Sequence, residues 1–237
     1  MKRLTVLAAF ALTAVLPAAS ALAAPPDAAD FAADCNADGR VDVTGTDRYV
    51  GGTGALSGDC IIVLDTGATL VLREVKLTGA GDLVAISSPE ETTIRVVDSV
   101  IDVAGYLELT AGCCAGDAGV PEQDGTVVVK RSTLRAAGVL LWASFDWPNG
   151  RVLVRSSDLE ARSSGITVGA SDVAGSDGTA RVVESTLTAA GPVTISTGSL
   201  GRTIAKYNSL FAPTVTIETG TGGVCRSVGN TPAVPCS

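Results

Sequence analysis

Cations recur at fixed places in this chain. Counting back from six aliphatic positions (Leu77, Ile101, Leu134, Leu159, Leu187 and Leu210), each is preceded by one apolar and one cationic residue spaced two apart. The pairs are Val71/Arg73, Arg95/Val97, Val128/Lys130, Leu153/Arg155, Arg181/Val183 and Ile204/Lys206. If they share one face, Arg73, Arg95, Lys130, Arg155, Arg181 and Lys206 form a stripe able to hold an acidic polysaccharide by a row of point contacts. The same pattern also serves solubility and protection of a strand face. The net charge of −8 argues against a general affinity for nucleic acid or anionic membrane.

Catalytic chemistry has less to draw on. The chain has no histidine and no CxxC pair, so zinc lacks its usual ligands. Asp98 and Asp102 flank a polar kink, with Arg95 and Arg135 beside them if repeats stack in register; solvated charge on a turn is the plainer reading. The segment DCNADGRVD, Asp34 to Asp42, starts like the calcium loops of EF-hand and dockerin proteins. Its twelfth loop position is Gly45, where those loops need a carboxylate. Calcium therefore stays open beside a simple polar turn into a strand at Val41 to Val43, and no catalytic or metal-ligating residue is assigned. Asp117, Glu122, Asp124, Asp146, Asp172 and Asp177 lie in insertions, either as an acidic rim or as ordinary turn formers. Thr167, Thr194 and Thr216 align as an outward file that Glu108 and Leu141 interrupt, which β-propensity explains.

All six cysteines follow a leader of export type. Lys2 and Arg3 precede an apolar run from Leu4 to Leu16, and Ala21-Leu22-Ala23 offers a cleavage site after Ala23. The expected product is a secreted or envelope protein with no membrane span after cleavage, a monomer, with disulfides. Pairing Cys35 with Cys60 and Cys225 with Cys236 closes the two ends of the chain; fifteen pairings are possible in all. Cys113 and Cys114 remain as a vicinal pair or as free thiols.

The elements that must position these residues are repeats. The six aliphatic anchors are 24, 33, 25, 28 and 23 residues apart, a spacing typical of stacked units, with insertions confined to one corner. Within each unit the apolar period is 2, so the units are strands. Expected inward pairs are Leu70/Leu72, Ile94/Val96, Val127/Val129, Val152/Val154 and Ala180/Val182 before the anchors. After them come Leu107/Leu109, Leu140/Trp142, Ile166/Val168, Val193/Ile195 and Val215/Ile217. Ser99, Ser132, Ser157, Ser185 and Asn208 fall at a bend two residues before an anchor. Aromatics at 4% and 27 glycines fit thin, regular aliphatic layers.

Segments such as VVDSVI, VVESTL and KYNSL resemble the strand–kink–strand units of the right-handed parallel β-helix in the pectate-lyase-like superfamily, over roughly Cys60 to Gly220. The resemblance implies an all-β fold, a single-stranded right-handed parallel β-helix of about six to seven short coils, in which an inward Ser or Asn stacks coil on coil. It divides the chain into a signal peptide (1–23), a leader and cap (24–59), the β-helix (60–220) and a disulfide-closed cap (221–237). Lyases of that superfamily use calcium-bound acids with an Arg or Lys base, and its hydrolases use clustered aspartates. This chain has neither an N-T-D segment nor a D-D dipeptide. The expectation is a non-catalytic structural or binding module for acidic polysaccharide or another surface component. A calcium-assisted polysaccharide lyase acting by β-elimination is the alternative.

Overall fold

Short strands of mostly four or five residues turn alternate side chains inward, and no single coil can bury its inner face alone. The chain solves this by winding. The computed structural model describes residues 24–87, 91–112, 124–144, 149–171 and 177–237. The expected leader and cleavage site, Cys113, Cys114, Asp117, Glu122, Asp146 and Asp172 lie outside the described residues.

Three parallel sheets run the length of a β-solenoid of about seven coils. Each coil passes through sheet A, then B, then C. Sheet A comprises Arg40–Val43, Cys60–Leu64, Leu83–Ser87, Leu107–Ala111, Val139–Ala143, Ile166–Ala170, Val193–Thr197 and Val215–Thr219. Sheet B comprises Thr46–Val50, Thr69–Arg73, Thr93–Val97, Thr126–Lys130, Arg151–Arg155, Thr179–Val183, Arg202–Lys206 and Val224–Val228. Sheet C comprises Thr53–Leu56, Lys76–Gly79, Val100–Val103, Thr133–Ala136, Asp158–Ala161, Thr186–Ala189 and Ser209–Phe211. Winding therefore begins at Arg40, ahead of Cys60, and sheet B continues past Gly220.

The five inward pairs on sheet B are fully buried, as are the anchors Leu77, Ile101, Leu134 and Leu187. At about 1.5–3 kcal/mol per buried aliphatic side chain, each coil adds a similar increment once its neighbour is in place. One expected pair is corrected. Leu140 and Trp142 face outward, and Val139 and Leu141 occupy the core. The register is Leu107↔Val139 and Leu109↔Leu141, because the corner after Leu134 is one residue shorter than the corner after Ile101. A one-residue slip exchanges the two faces of a strand. Outward Trp142 lies across Gly169 of the next coil, where a Cβ would overlap the indole. The residue that interrupts the outward threonine file is accordingly Leu140, beside Thr167.

The bend between sheets B and C has a buried and an exposed column. The buried column is Ser99, Ser132, Ser157, Ser185, Asn208 and, past the expected set, Asn230. Each serine hydroxyl donates to the carbonyl two residues before it, at 2.8–2.9 Å, and accepts the backbone N–H of the equivalent position in the preceding coil. Asn208 and Asn230 accept the same N–H groups at 3.0 Å, from Ser185 and Asn208. Interior polar groups are thus satisfied along the whole stack.

The exposed column sits one residue earlier. Glu74, Asp98, Arg131, Ser156, Glu184 and Tyr207 all adopt left-handed backbone, with φ between 48° and 57°. Non-glycine residues are disfavoured there by roughly 1–2 kcal/mol, and glycine carries an entropic penalty of about 0.5–1 kcal/mol. Ser156→Gly is therefore expected to raise stability by up to about 1 kcal/mol, read as a higher urea midpoint with an unchanged m-value. A lower midpoint would show that the column tolerates side chains without strain.

The open end is closed by a helix, α1 (Ala28–Asp38), in a stretch read from sequence as part of the leader and cap and, from Asp34, as a calcium-type loop or polar turn. Asp27 caps it, with Asp30 completing a capping box, and Gly39 ends it in left-handed conformation with φ 75°. Phe31 and Ala32 are buried, and Phe31 meets Tyr49 edge-to-face at 5.1 Å. Both terminal disulfides form as paired above, Cys35–Cys60 and Cys225–Cys236.

Candidate binding face

Parallel register turns sequence period into straight files of side chains across the outside of sheet B. One file reads Thr46, Thr69, Thr93, Thr126, Arg151, Thr179, Arg202 and Val224. The next reads Arg48, Val71, Arg95, Val128, Leu153, Arg181, Ile204 and Arg226. The third reads Val50, Arg73, Val97, Lys130, Arg155, Val183, Lys206 and Val228. These positions hold ten cations and no carboxylate, on a chain whose net charge is −8.

All six sequence-selected cations lie on this face. Arg73 pairs with Glu74 at 2.9 Å and Arg155 with Glu184 at 3.6 Å, both acids from the left-handed column along one edge. Among the described residues, Arg95, Lys130, Arg181 and Lys206 form no ion pair. Four face cations escaped the sequence reading. Arg48 and Arg226 fall outside the stretch assigned to repeats, and Arg151 and Arg202 stand one alternation step before the outward pairs. Extending the period of 2 back by one step would have found the latter two. Among the described residues, two depressions lie on this face. One, of about 290 Å³, is lined by Arg151, Leu153, Thr179, Arg181, Arg202 and Ile204. The other, of about 300 Å³, is lined by Lys130, Arg131, Arg155 and Ser156.

The acid pair proposed for lyase chemistry does not converge. Asp98 sits in the bend and binds Arg131 of the next coil through two bonds of 2.6 and 2.7 Å. Hydrogen bonding from that guanidinium, reinforced by its charge, holds the Asp98 carboxyl below the usual carboxylate range. Asp102 points out from sheet C and binds Arg162 at 2.6 Å, and Arg135 binds Glu160 at 3.1 Å. Four of these charges form an alternating network on sheet C, with Arg162 also 3.8 Å from Glu160.

The calcium-loop reading is corrected as well. Asp34, Asn36 and Asp38 lie on α1, and a helix cannot bring alternate residues around one ion as a loop does. The Asn36 amide is already committed to Ala55, and its carbonyl oxygen to Ser57. Among the described residues no group of three or more acid, cysteine or histidine side chains could hold a metal ion. A cleft of about 680 Å³ at this end, lined in part by Asp34, Asp38, Asp42, Asp47, Arg40 and Arg48, has mixed charge. Burial, with Asp34 and Asp47 nearby, pushes the Tyr49 phenol up to about 12.

The fold thus defines a disulfide-closed parallel β-solenoid with one cationic sheet face. No family model, curated protein or solved structure matches the chain. No helix among the described residues is long and apolar enough to cross a membrane, and the two disulfides are consistent with an oxidising, extracellular setting.

Proposed function

We propose that this protein is an exported, monomeric, non-catalytic β-helix that binds acidic polysaccharide along the outside of sheet B. The observation that carries the reading is the run of ten cations without a carboxylate across eight strands in register. Coils advance by ~4.8 Å, so cations recur on the scale of successive sugars in an extended chain. Intervening Val, Leu and Ile side chains offer apolar ground for the C–H faces of sugar rings. The three-sheet coil and the buried Ser/Asn ladder support kinship with the pectate-lyase-like superfamily. The lyase alternative is disfavoured because Asp98 and Asp102 are held apart, each by its own arginine. Nucleic acid is disfavoured as a partner by the net charge.

Retention on an immobilised polyuronate tests the reading. Wild-type protein is expected to be retained at low salt and released as salt rises. The double variant Lys130→Glu/Arg155→Glu reverses two of the ten charges and is expected to elute at clearly lower salt. Unchanged elution would reduce the face to a solvated surface. Release of unsaturated, ultraviolet-absorbing products in the presence of calcium would instead establish the lyase.

A further inference from the structure

We propose that the depression formed by Arg151, Arg181 and Arg202 is an oxyanion subsite that fixes where along the face an acidic polysaccharide sits; this rests on the polysaccharide reading above. Arg151, Thr179 and Arg202 are neighbours in one file, and Leu153, Arg181 and Ile204 in the next. The three arginines therefore occupy alternate squares of a two-by-three board. Along the solenoid axis there is one guanidinium per coil, on alternating sides, with Arg151 and Arg202 about 10 Å apart across two coils.

All three arginines are exposed, and among the described residues no carboxylate lies within ion-pair distance of any of them. The contrast with other arginines is direct: Arg40, Arg73, Arg131, Arg135, Arg155 and Arg162 each hold an acid. Arg95 and Arg226 are also without one but line neither depression, and Arg48 shares its cleft with Arg40 and with four aspartates. Clustered unpaired guanidiniums repel one another, and an anion placed among them relieves that repulsion.

The chemistry narrows the anion. A guanidinium presents a rigid planar fork of donors that engages two oxygens of one group, which a lysine ammonium cannot reproduce. Leu153 and Ile204 flank Arg181 and supply a floor for a sugar ring. The fitting ligand is an extended polysaccharide with an oxyanion on successive sugars, directed to alternate sides. Carboxylates and sulfate esters share this chemistry.

The test titrates the full chain by calorimetry with a short oligouronate, a size-matched sulfated oligosaccharide and a neutral oligosaccharide. Arg181→Lys, and the pair Arg151→Lys/Arg202→Lys, keep every charge and are expected to weaken binding about tenfold, the scale of losing bidentate pairing. Arg135→Lys and Arg162→Lys, at sheet C and off the binding face, are expected to stay within about twofold of wild type. Tighter binding of the oligouronate assigns a carboxylate, and of the sulfated ligand a sulfate ester; the tenfold loss is required in whichever arm binds. If the central lysine variants bind as the sheet C variants do, the subsite is overturned and the polysaccharide reading stands. If wild type binds neither charged ligand better than the neutral one, both fall.

Discussion

Replacing Cys35 and Cys60 together by alanine is expected to lower stability by about 2–4 kcal/mol. In equilibrium urea unfolding without reductant this appears as a large fall in the midpoint. The disulfide closes a loop of 25 residues in sequence separation and joins α1 to the first strand of the second coil. Both cysteines are almost wholly buried, so their loss also removes packing under the helix. The helix is otherwise held by packing and by hydrogen bonds between its Asn36 side chain and Ala55 and Ser57. Its inner face is Ala28, Phe31, Ala32 and Cys35, set close enough to sheet C that a Cβ at Gly54 would overlap the Ala28 carbonyl. Once α1 lifts, the edge of the first coil meets water with its backbone groups unpaired. Limited proteolysis should then cut between residues 24 and 40 before the solenoid itself unfolds. A midpoint equal to wild type would show that α1 docks by packing alone. The same change at Cys225 and Cys236 is expected to be milder, because that bridge spans 11 residues and Cys236 is exposed.

Asn208→Leu is expected to be about as damaging, roughly 2–4 kcal/mol, since it leaves several buried polar groups without partners at once. The Asn208 carbonyl oxygen accepts from the Ser185 N–H, and its amide donates to the Val182 carbonyl and to Asn230. Leucine has a similar volume, so a cavity is not the cause of the loss. Ser157→Ala interrupts the same ladder but removes one acceptor, for the Ser132 N–H, and one donor, to the Arg155 carbonyl, which keeps the Arg131 N–H, and should fall nearer about 1–3 kcal/mol. Chemical denaturation of the two variants side by side checks the order. Equal stability for Asn208→Leu and wild type would mean that water replaces the amide, and the ladder would cease to be a structural requirement.

The ladder also shows how far residue types alone could be read. Serine or asparagine two places before five of the six aliphatic anchors recurs so regularly that its inward stacking is legible without coordinates. Asn230 continues it in a segment that has no anchor after it, and only the register across coils reveals the match. Trp142 marks a second boundary of legibility. Alternation says that Leu140 and Trp142 share a face, but it cannot say which face when a corner loses one residue. Glycine at 169 was the available sign, since a bare outward position in one coil leaves room for an indole in the next. The helix at Ala28–Asp38 was hidden because its apolar face is four residues, two of them alanine. It is stable through its caps, the disulfide and what it covers, rather than through any strong local preference.

The sequence by itself determined the period, the strand alternation, most of the inward apolar columns, the polar bend and one outward cation per coil, and it offered the terminal cysteine pairing as one choice among fifteen. These follow from local spacing, and local spacing is what a repeat writes into a chain. Tertiary structure alone decided which residues stand beside one another across coils. Asp98 and Asp102 are four apart in sequence but diverge around the bend, each to its own arginine. Arg151 and Arg202 are 51 positions apart, yet they flank Arg181 across neighbouring strands. Insertions at the corners shift sequence distance without shifting register, because backbone hydrogen bonds between parallel strands fix the alignment of each coil on the last. That alignment gathers the cations onto one acid-free face.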